Sequence, residues 1–325
     1  MKPFGWAFIG YGGIAETVAK ALLNSDHRIA AVYGRTLPKA EAFAENYGAK
    51  AYDDLEEALA DQNVAAVYIA TPNDTHAYFT EQCILRGKPV LCEKPFSMNA
   101  AEAERILKLA RKKSVYVAEA MWTWHDPVSL QVRDWIKDGK IGEITGIEAT
   151  YAFPMLRKKD PHSRLLDPAR GGGALMDIGV YPVRYVYELF GLPEAVTCKG
   201  ETYNGVDVEE TVSMRYKGFT AELFVSFRSL KGEKMVIRGT KGSITIPFFH
   251  MATKARLKGE NRAAAAVKGG MRGLYRREFD DAAAEIRARK QESGLIPHRG
   301  TLDVMRLMDD CRRQMGVVFP GDTQY

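Results

Sequence analysis

A glycine cluster, an arginine, a lysine followed by proline, and an aspartate four residues ahead of a tyrosine are the positions in this chain whose types and spacing can do chemistry. Gly10-x-Gly12-x-x-Ala15 follows the apolar run from Trp6 and opens a helical pattern. Glycines there allow a tight turn and let backbone N–H groups approach a pyrophosphate, whose charge then lies at a helix N-terminus. Gly10, Gly12, Gly13 and Ile14 are the expected contacts. At the end of the next apolar run stand Gly34-Arg35-Thr36, followed by Lys39. An acid at this point would bind a ribose 2′-hydroxyl and repel a 2′-phosphate. None is present, and a guanidinium can grip a phosphate through two charge-assisted bonds. The pattern favours NADP(H) over NAD(H).

Thr71-Pro72-Asn73 closes the buried run Ala65–Ala70, at the strand edge where open parallel sheets bind ligands. His76, three residues on, reads equally as a cofactor neighbour or as a helix-start residue. Glu93-Lys94-Pro95 ends the run Pro89–Cys92 at the same edge, and the proline restricts the backbone of Lys94 to extended conformations. An ammonium held in this way can hydrogen-bond a carbonyl or hydroxyl oxygen. Asp177 and Tyr181 share a face if they lie on an α-helix, and Gly171-Gly172-Gly173 before them lets backbone pass close to a ligand. A phenol titrates near ~10 unless a nearby ammonium lowers it, which makes Tyr181 the expected proton donor. Trp122, Trp124 and Phe153 read either as an apolar substrate wall or as core. His125, Arg157, Lys158, Lys159, His162, Arg164 and Arg170 form a basic surround, read as a solvated loop unless one of them, Arg170 first, faces the substrate.

These residues must be positioned by two kinds of architecture. Over about the first 120 residues, short apolar runs alternate with helical patterns at 14–23, 37–47, 75–85 and 100–112. That alternation implies a parallel sheet wound with helices. Afterwards strand-like runs arrive close together, at 143–153, 195–203, 211–216, 219–226, 234–239 and 242–246, with turn signals at Lys217-Gly218 and Lys241-Gly242. Such succession implies antiparallel hairpins. The Ala/Gly-rich stretch 259–273 is the least structured in pattern, and a helix over 301–315 closes the chain.

The remaining composition excludes several classes. With 325 residues, 46% hydrophobic and 27% charged, the chain has the profile of a soluble globular protein of about two domains. A net charge of +5 without a basic stripe argues against a nucleic-acid partner. No run reaches the ~18 apolar residues of a membrane helix. Cys83, Cys92, Cys198 and Cys311 are widely separated, so neither a metal site nor a disulfide framework is expected, and a reduced cytoplasmic setting fits.

Thr71-Pro72-Asn73-Asp74-Thr75-His76, Glu93-Lys94-Pro95 and Gly171-Gly172-Gly173-Ala174-Leu175-Met176-Asp177-Ile178-Gly179-Val180-Tyr181, in that order, resemble the Gfo/Idh/MocA oxidoreductases. The resemblance spans nearly the whole chain. The segments 119–124 and 301–309 are similar to its branch of dihydrodiol and sugar dehydrogenases. It implies an α/β Rossmann domain over 1–121 and an α+β domain over 122–325 with an open, mostly antiparallel sheet, the 301–316 helix packing back on the first domain. It also implies that Lys94 contacts nicotinamide ribose and substrate with Glu93 nearby, and that the second sheet forms a homodimer. The implied activity is hydride transfer between NADP(H) and a secondary alcohol or ketone of a sugar, inositol, anhydro-sugar or dihydrodiol. Tyr181 would supply the proton, Lys94 polarise the carbonyl and Asp177 orient the substrate, with Lys94 as the alternative donor. A non-catalytic NADP-sensing protein of the same fold is the rival reading.

Overall fold

Apolar runs too short for buried helices and too uniform for half-exposed strands become parallel strands covered on both faces. In the computed structural model, which describes residues 3–156, 163–259, 264–266 and 270–322, the runs of the first third do this. β1 (Phe4–Ile9), β4 (Ala66–Ile69), β5 (Val90–Glu93) and β6 (Val117–Ala120) are buried at every position. β2 (His27–Tyr33) and β3 (Lys50–Tyr52) complete a six-stranded parallel sheet in the order β3-β2-β1-β4-β5-β6. Helices α1 (Gly13–Leu22), α2 (Leu37–Glu45), α3 (Leu55–Ala60), α4 (His76–Leu85) and α5 (Ala100–Lys113) connect them. β3 and α3 leave no trace in the sequence pattern because three- and six-residue elements are too short to show a period. Asp54 starts α3 by accepting a bond from the Glu57 amide at 3.1 Å.

The chain divides into two compact units, residues 1–121 with 272–301, and 122–271 with 302–325. On sequence, 272–301 is expected in the second domain; the structure returns it to the first. The physical reason is Phe279, fully buried with its ring 4.8 Å from Trp6 and 5.0 Å from Tyr68. Beside it His27 bridges the Trp6 indole N–H and Asp280, at 3.1 and 2.9 Å.

The second unit starts with α6 (Pro127–Lys137), whose first turn is capped by Asp126 accepting from the Val128 amide. The strands are β7 (Ile144–Ala152), then, after α7 (Val180–Phe190), β8 (Ala195–Tyr203), β9 (Val206–Tyr216), β10 (Phe219–Ser226), β11 (Gly232–Gly239), β12 (Gly242–Pro247), β13 (Lys254–Lys258) and β14 (Ala264–Ala266). Their order is β14-β13-β12-β11-β7-β10-β9-β8, antiparallel except for the parallel pair of β7 and β10. The turn at Lys217-Gly218 joins β9 to β10 as expected, whereas the turn expected at Lys241-Gly242 falls one residue earlier, at Thr240-Lys241, because Gly242 already pairs with Gly239 as the first residue of β12. One face buries Ile147, Leu223, Met235 and Ile244, while the other exposes Glu148, Arg215 and Glu222.

α8 (Gly270–Arg287) corrects the expectation of irregular chain through Gly273; residues 260–263 and 267–269 of that stretch lie outside the described residues. α9 (His298–Gln314) is the expected closing helix, and from Leu302 onward it belongs to the second unit. No described helix is long and apolar enough to cross a membrane.

Because Phe279 fills the gap above Trp6 and Tyr68, Phe279→Ala is expected to cost about 3–5 kcal/mol of unfolding free energy. Urea denaturation checks this, and a loss below ~1 kcal/mol would show that α8 is not part of the first unit's core.

Candidate active site

In the first unit the strand ends gather the expected cofactor residues on one edge of the sheet. Gly10 leaves β1 with φ +99°, its amide bonded to the Tyr33 carbonyl, and a Cβ there would stand 2.7 Å from the Ala70 carbonyl oxygen. Only glycine fits that crossing. Gly12 and Gly13 are exposed, and a Cβ on either would meet no atom within 4 Å. Gly12 offers α1 no side-chain cap, so the amides of the first turn, Ile14 included, remain available to an anion. Such an open cradle over a helix start fits a dinucleotide pyrophosphate.

Beyond β2, Arg35, Thr36 and Lys39 are all exposed. Two acids that sequence inspection passed over, Asp53 and Asp54 after β3, lie within electrostatic reach of this edge. Burial raises the Tyr33 phenol, the charges of Asp54 and Asp53 add to the rise, and Arg35 opposes it. Asp54 is committed to capping α3, and Asp53 is exposed.

After β4, Thr71 and Pro72 are half-buried and Asn73 is buried in a 3₁₀ turn. His76 is the first residue of α4. It is fully buried at the start of α4, with its two ring nitrogens each 2.9 Å from a backbone oxygen, those of Pro95 and Thr71. It thereby ties the Thr71 turn to the loop after Lys94.

Lys94 is half-buried, and its peptide bond to Pro95 is cis. Glu93, expected near the cofactor, lies 4% exposed before it, accepting from the Tyr68 hydroxyl at 2.6 Å and from the Lys94 amide at 3.2 Å. Burial pushes its carboxyl up to about 7, against the opposing pull of the Tyr68 bond and the Lys94 charge. The pair to this acid is Glu278 on α8, fully buried, with neither carboxyl oxygen hydrogen-bonded among the described residues. Burial and then the charge of Glu93 hold the Glu278 carboxyl far above the usual carboxylate range. No local pattern flags Glu278, which reaches Glu93 from 185 positions away only by tertiary packing.

In the second unit the last glycine of the run is dictated by Asp207. Gly173 has φ +113°, and a Cβ on it would stand 2.3 Å from Asp207 Oδ1, while Asp207 Oδ2 accepts from the Leu175 amide at 2.6 Å. The chain then makes a π-helical turn, Leu175–Gly179, before α7. Asp177 therefore sits in a wider turn than the α-helical register that would stack it on Tyr181. Asp177 is half-buried and Tyr181 is 3% exposed.

Tyr181 lies in an aromatic cluster, its ring 5.4 Å from Trp122, 5.2 Å from His250 and 6.1 Å from Tyr151. Phe153 is half-buried, 5.9 Å from the Tyr151 ring. Trp124 faces elsewhere: at 2% exposure it packs on Tyr185 at 5.0 Å, as core. Arg170 is half-buried in a 3₁₀ turn before Gly171, Arg164 is exposed and His125 is buried. Arg157, Lys158, Lys159 and His162 lie outside the described residues. His250, Tyr151 and Glu233 are site neighbours that the sequence did not reveal. Among the described residues no group of three His, Cys, Asp or Glu side chains could hold a metal ion.

Comparison with known proteins follows the same division. A model described as an oxidoreductase family with an NAD-binding Rossmann fold matches residues 4–121, and one for the GFO/IDH/MocA C-terminal domain matches 129–245. The chain is 31% identical over 333 residues to trans-1,2-dihydrobenzene-1,2-diol dehydrogenase of Mus musculus, covering 98% of each. It is 33% identical to a scyllo-inositol 2-dehydrogenase (NADP(+)) of Bacillus subtilis, covering 98% of each. D-xylose 1-dehydrogenase (NADP(+)) of Hypocrea jecorina is 29% identical, with 97% of this chain and 93% of that one covered. Among solved structures, an aldose-aldose oxidoreductase from Caulobacter crescentus complexed with glycerol superposes with a TM-score of 0.86 at 22% identity, covering 96% and 97%. A 3-ketoreductase from Actinomadura kijaniata in complex with NADP and TDP-benzene gives 0.83 at 23%, covering 96% and 98%. At these identities the two structures share the fold.

The raised Glu93 carboxyl has a measurable signature. Folded and unfolded chains are both protonated there below pH 4.5, the ordinary value, and the unfolded chain ionises first as pH rises towards the folded value of about 7. Stability present in acid is therefore lost across that window. Glu93→Gln removes the loss, so its stability relative to the parent is expected to rise by about 2–3 kcal/mol between pH 4.5 and pH 8. Urea titrations at the two pH values test this; a pH-independent difference would mean that Glu93 ionises normally.

Proposed function

The chain belongs to the Gfo/Idh/MocA oxidoreductases, NAD(P)-dependent enzymes acting on CH–OH groups, and on that premise we propose that it is an NADP(H)-dependent enzyme that interconverts a secondary alcohol and a ketone. The proposed substrate classes are sugars, inositols and dihydrodiols, in keeping with the names of its relatives, together with anhydro-sugars. The observation that carries the reading is the pairing of an open glycine cradle at the start of α1 with an exposed Arg35 at the end of β2.

Gly10, Gly12, Gly13 and Ile14 would hold the pyrophosphate, and Arg35, Thr36 and Lys39 the 2′-phosphate. Thr71, Pro72 and Asn73 would line the strand edge towards the nicotinamide. When bound, the nicotinamide supplies or accepts the hydride. The protein's own part is to hold the substrate and manage the proton on its oxygen. In reduction, Lys94 places a positive charge beside the carbonyl oxygen and stabilises the negative charge that grows there. Tyr181 gives its phenolic proton to that oxygen, and in oxidation it receives the proton back. Asp177 orients a neighbouring hydroxyl. Trp122 and Phe153 offer aromatic faces to the ring of a sugar or diol, and Arg170 offers polar contacts at the rim.

The buried Glu93 next to Lys94 adds a control on that lysine beyond its own charge. A carboxylate at Glu93 attracts the ammonium, whereas a protonated one does not, so the amine's hold on the substrate oxygen varies with the proton on Glu93. Lys94→Met is expected to leave NADPH affinity within about threefold while lowering turnover by roughly 10²–10⁴. Fluorescence titration with NADPH and initial rates test the two halves, the rates against trans-1,2-dihydrobenzene-1,2-diol, D-xylose, scyllo-inositol and their ketones. NADPH binding without turnover of any substrate by the parent protein would instead support the cofactor-sensing reading.

Cofactor choice has its own test. Arg35→Asp would set a third acid beside Asp53 and Asp54, and is expected to raise the NADPH Michaelis constant by about 10–100-fold. The constant for NADH should change by no more than about threefold. Equal losses with both cofactors would defeat the assignment of Arg35 to the 2′-phosphate.

A further inference from the structure

Beside Tyr181 the second unit buries three residues to which the mechanism above assigns nothing. His250 follows β12 in a 3₁₀ turn, 7% exposed. Its Nδ1 lies 2.7 Å from Oε2 of Glu233, and its backbone amide donates to the other carboxyl oxygen at 2.7 Å. Glu233, on β11, is itself 6% exposed. On the opposite side of the ring, Nε2 lies 3.3 Å from the hydroxyl of Tyr151 on β7. The two rings stack at 4.9 Å with planes 28° apart. The His250 carbonyl accepts from the Trp122 indole N–H at 2.7 Å and from the Thr123 hydroxyl at 2.8 Å. The imidazole is thus anchored at the main chain, at both ring nitrogens and across its face.

The order of these groups has a chemical meaning. A carboxylate at Nδ1 favours the tautomer with its proton there, which leaves the Nε2 lone pair to accept the phenolic O–H. Acid, imidazole and hydroxyl in a row is the arrangement that lets a hydroxyl lose its proton while the imidazolium formed is stabilised by a fixed negative charge. The titratable groups brought against the imidazole are Glu233 from β11, Tyr151 from β7 and Tyr181 from α7; the turn Trp122–His125 contributes Trp122 and Thr123. A pair serving only to fix the loop would need no phenol at Nε2.

We propose that Glu233, His250 and Tyr151 form a proton relay that stores the proton exchanged by Tyr181. The inference rests on the reading of Tyr181 as the group that acts on the substrate oxygen. In alcohol oxidation the substrate O–H proton passes to the Tyr181 oxygen as that phenol passes its own proton to Tyr151. The Tyr151 proton then passes to Nε2, and the hydride goes to NADP⁺. The result is a carbonyl, two neutral phenols and an imidazolium held by Glu233. Reduction runs the same transfers backwards, and only O–H and N–H bonds change within the relay. Tyr151, His250 and Glu233 act through Tyr181 and are positioning residues.

The test uses the full-length protein in two measurements. The first, on cofactor-free protein labelled with ¹⁵N at histidine, reads the His250 tautomer in the parent, Tyr151→Phe and Glu233→Gln. The parent is expected to carry the proton on Nδ1, with Nε2 as a hydrogen-bond acceptor, and Tyr151→Phe to abolish the hydrogen-bond shift at Nε2. The second is the pH profile of kcat in the oxidation direction, with NADP⁺ and whichever diol or polyol of the panel is turned over. Glu233→Gln keeps an acceptor for the His250 amide but removes the charge. It is expected to lower kcat by about 10²-fold and to move the acidic limb to lower pH, with NADP⁺ affinity unchanged as the check on folding. A proton on Nε2 in the parent, or a Glu233→Gln profile parallel to that of the parent, overturns the relay. If Tyr181→Phe abolishes turnover while Glu233→Gln keeps the parental profile, the relay alone fails. If Tyr181→Phe retains turnover, the reading on which the relay rests fails.

Discussion

A strand covered on both faces has nowhere to place a polar side chain except at its end. In the first unit this constraint does most of the positioning. β1, β4 and β5 are buried throughout, so the residues that follow them, Gly10, Thr71 and Lys94, emerge together on the carboxyl edge of a parallel sheet. Parallel register aligns those ends without further specification, because every crossover returns the chain to the same starting edge. The helix that follows β1 then turns its uncapped amides to the same edge.

The exception to the constraint is also the most informative feature of this unit. Glu93 is the last residue of β5 and is buried like the others, with Glu119 on β6 and Glu278 on α8 buried as well. Three carboxyls in a low-dielectric interior cannot all ionise, and the raised proton affinities of Glu93 and Glu278 are the consequence. The arrangement costs stability at neutral pH. It persists directly beneath the lysine proposed to meet the substrate oxygen, where charge on a neighbour has most effect.

The second unit solves a different problem with similar means. Its sheet has one buried face, and two of the acids it admits there hold main-chain amides. Asp207 holds the amide of Leu175 and leaves no room for a side chain at Gly173, and Glu233 holds His250 through both ring and main chain. Burial raises the proton affinities of Asp207 and of its neighbour Glu210. These buried acids fix the π turn that carries Asp177 and the loop that faces Tyr181.

How much of this was legible in the residues divides along sequence distance. The first-unit strands, their order of alternation with helices, the glycine turn, the absence of an acid after β2, the hairpin at 217–218 and, to within one residue, the hairpin at 240–241 are written in runs of neighbouring residues. Propensity and periodicity act at that range, so the residues themselves determined the two-part architecture and the family. Elements too short for a period, β3 and α3, escaped, as did α6 despite the Asp126-Pro127 start that marks it. What only the tertiary structure decided involves partners far apart in the chain: α8 docked by Phe279 onto Trp6, Glu278 brought to Glu93, Asp207 under Gly173, Trp124 turned into the core, and His250 set between Glu233 and Tyr151. Side-chain packing selects such pairs, and the burial that shifts their proton affinities exists only once the chain has closed around them.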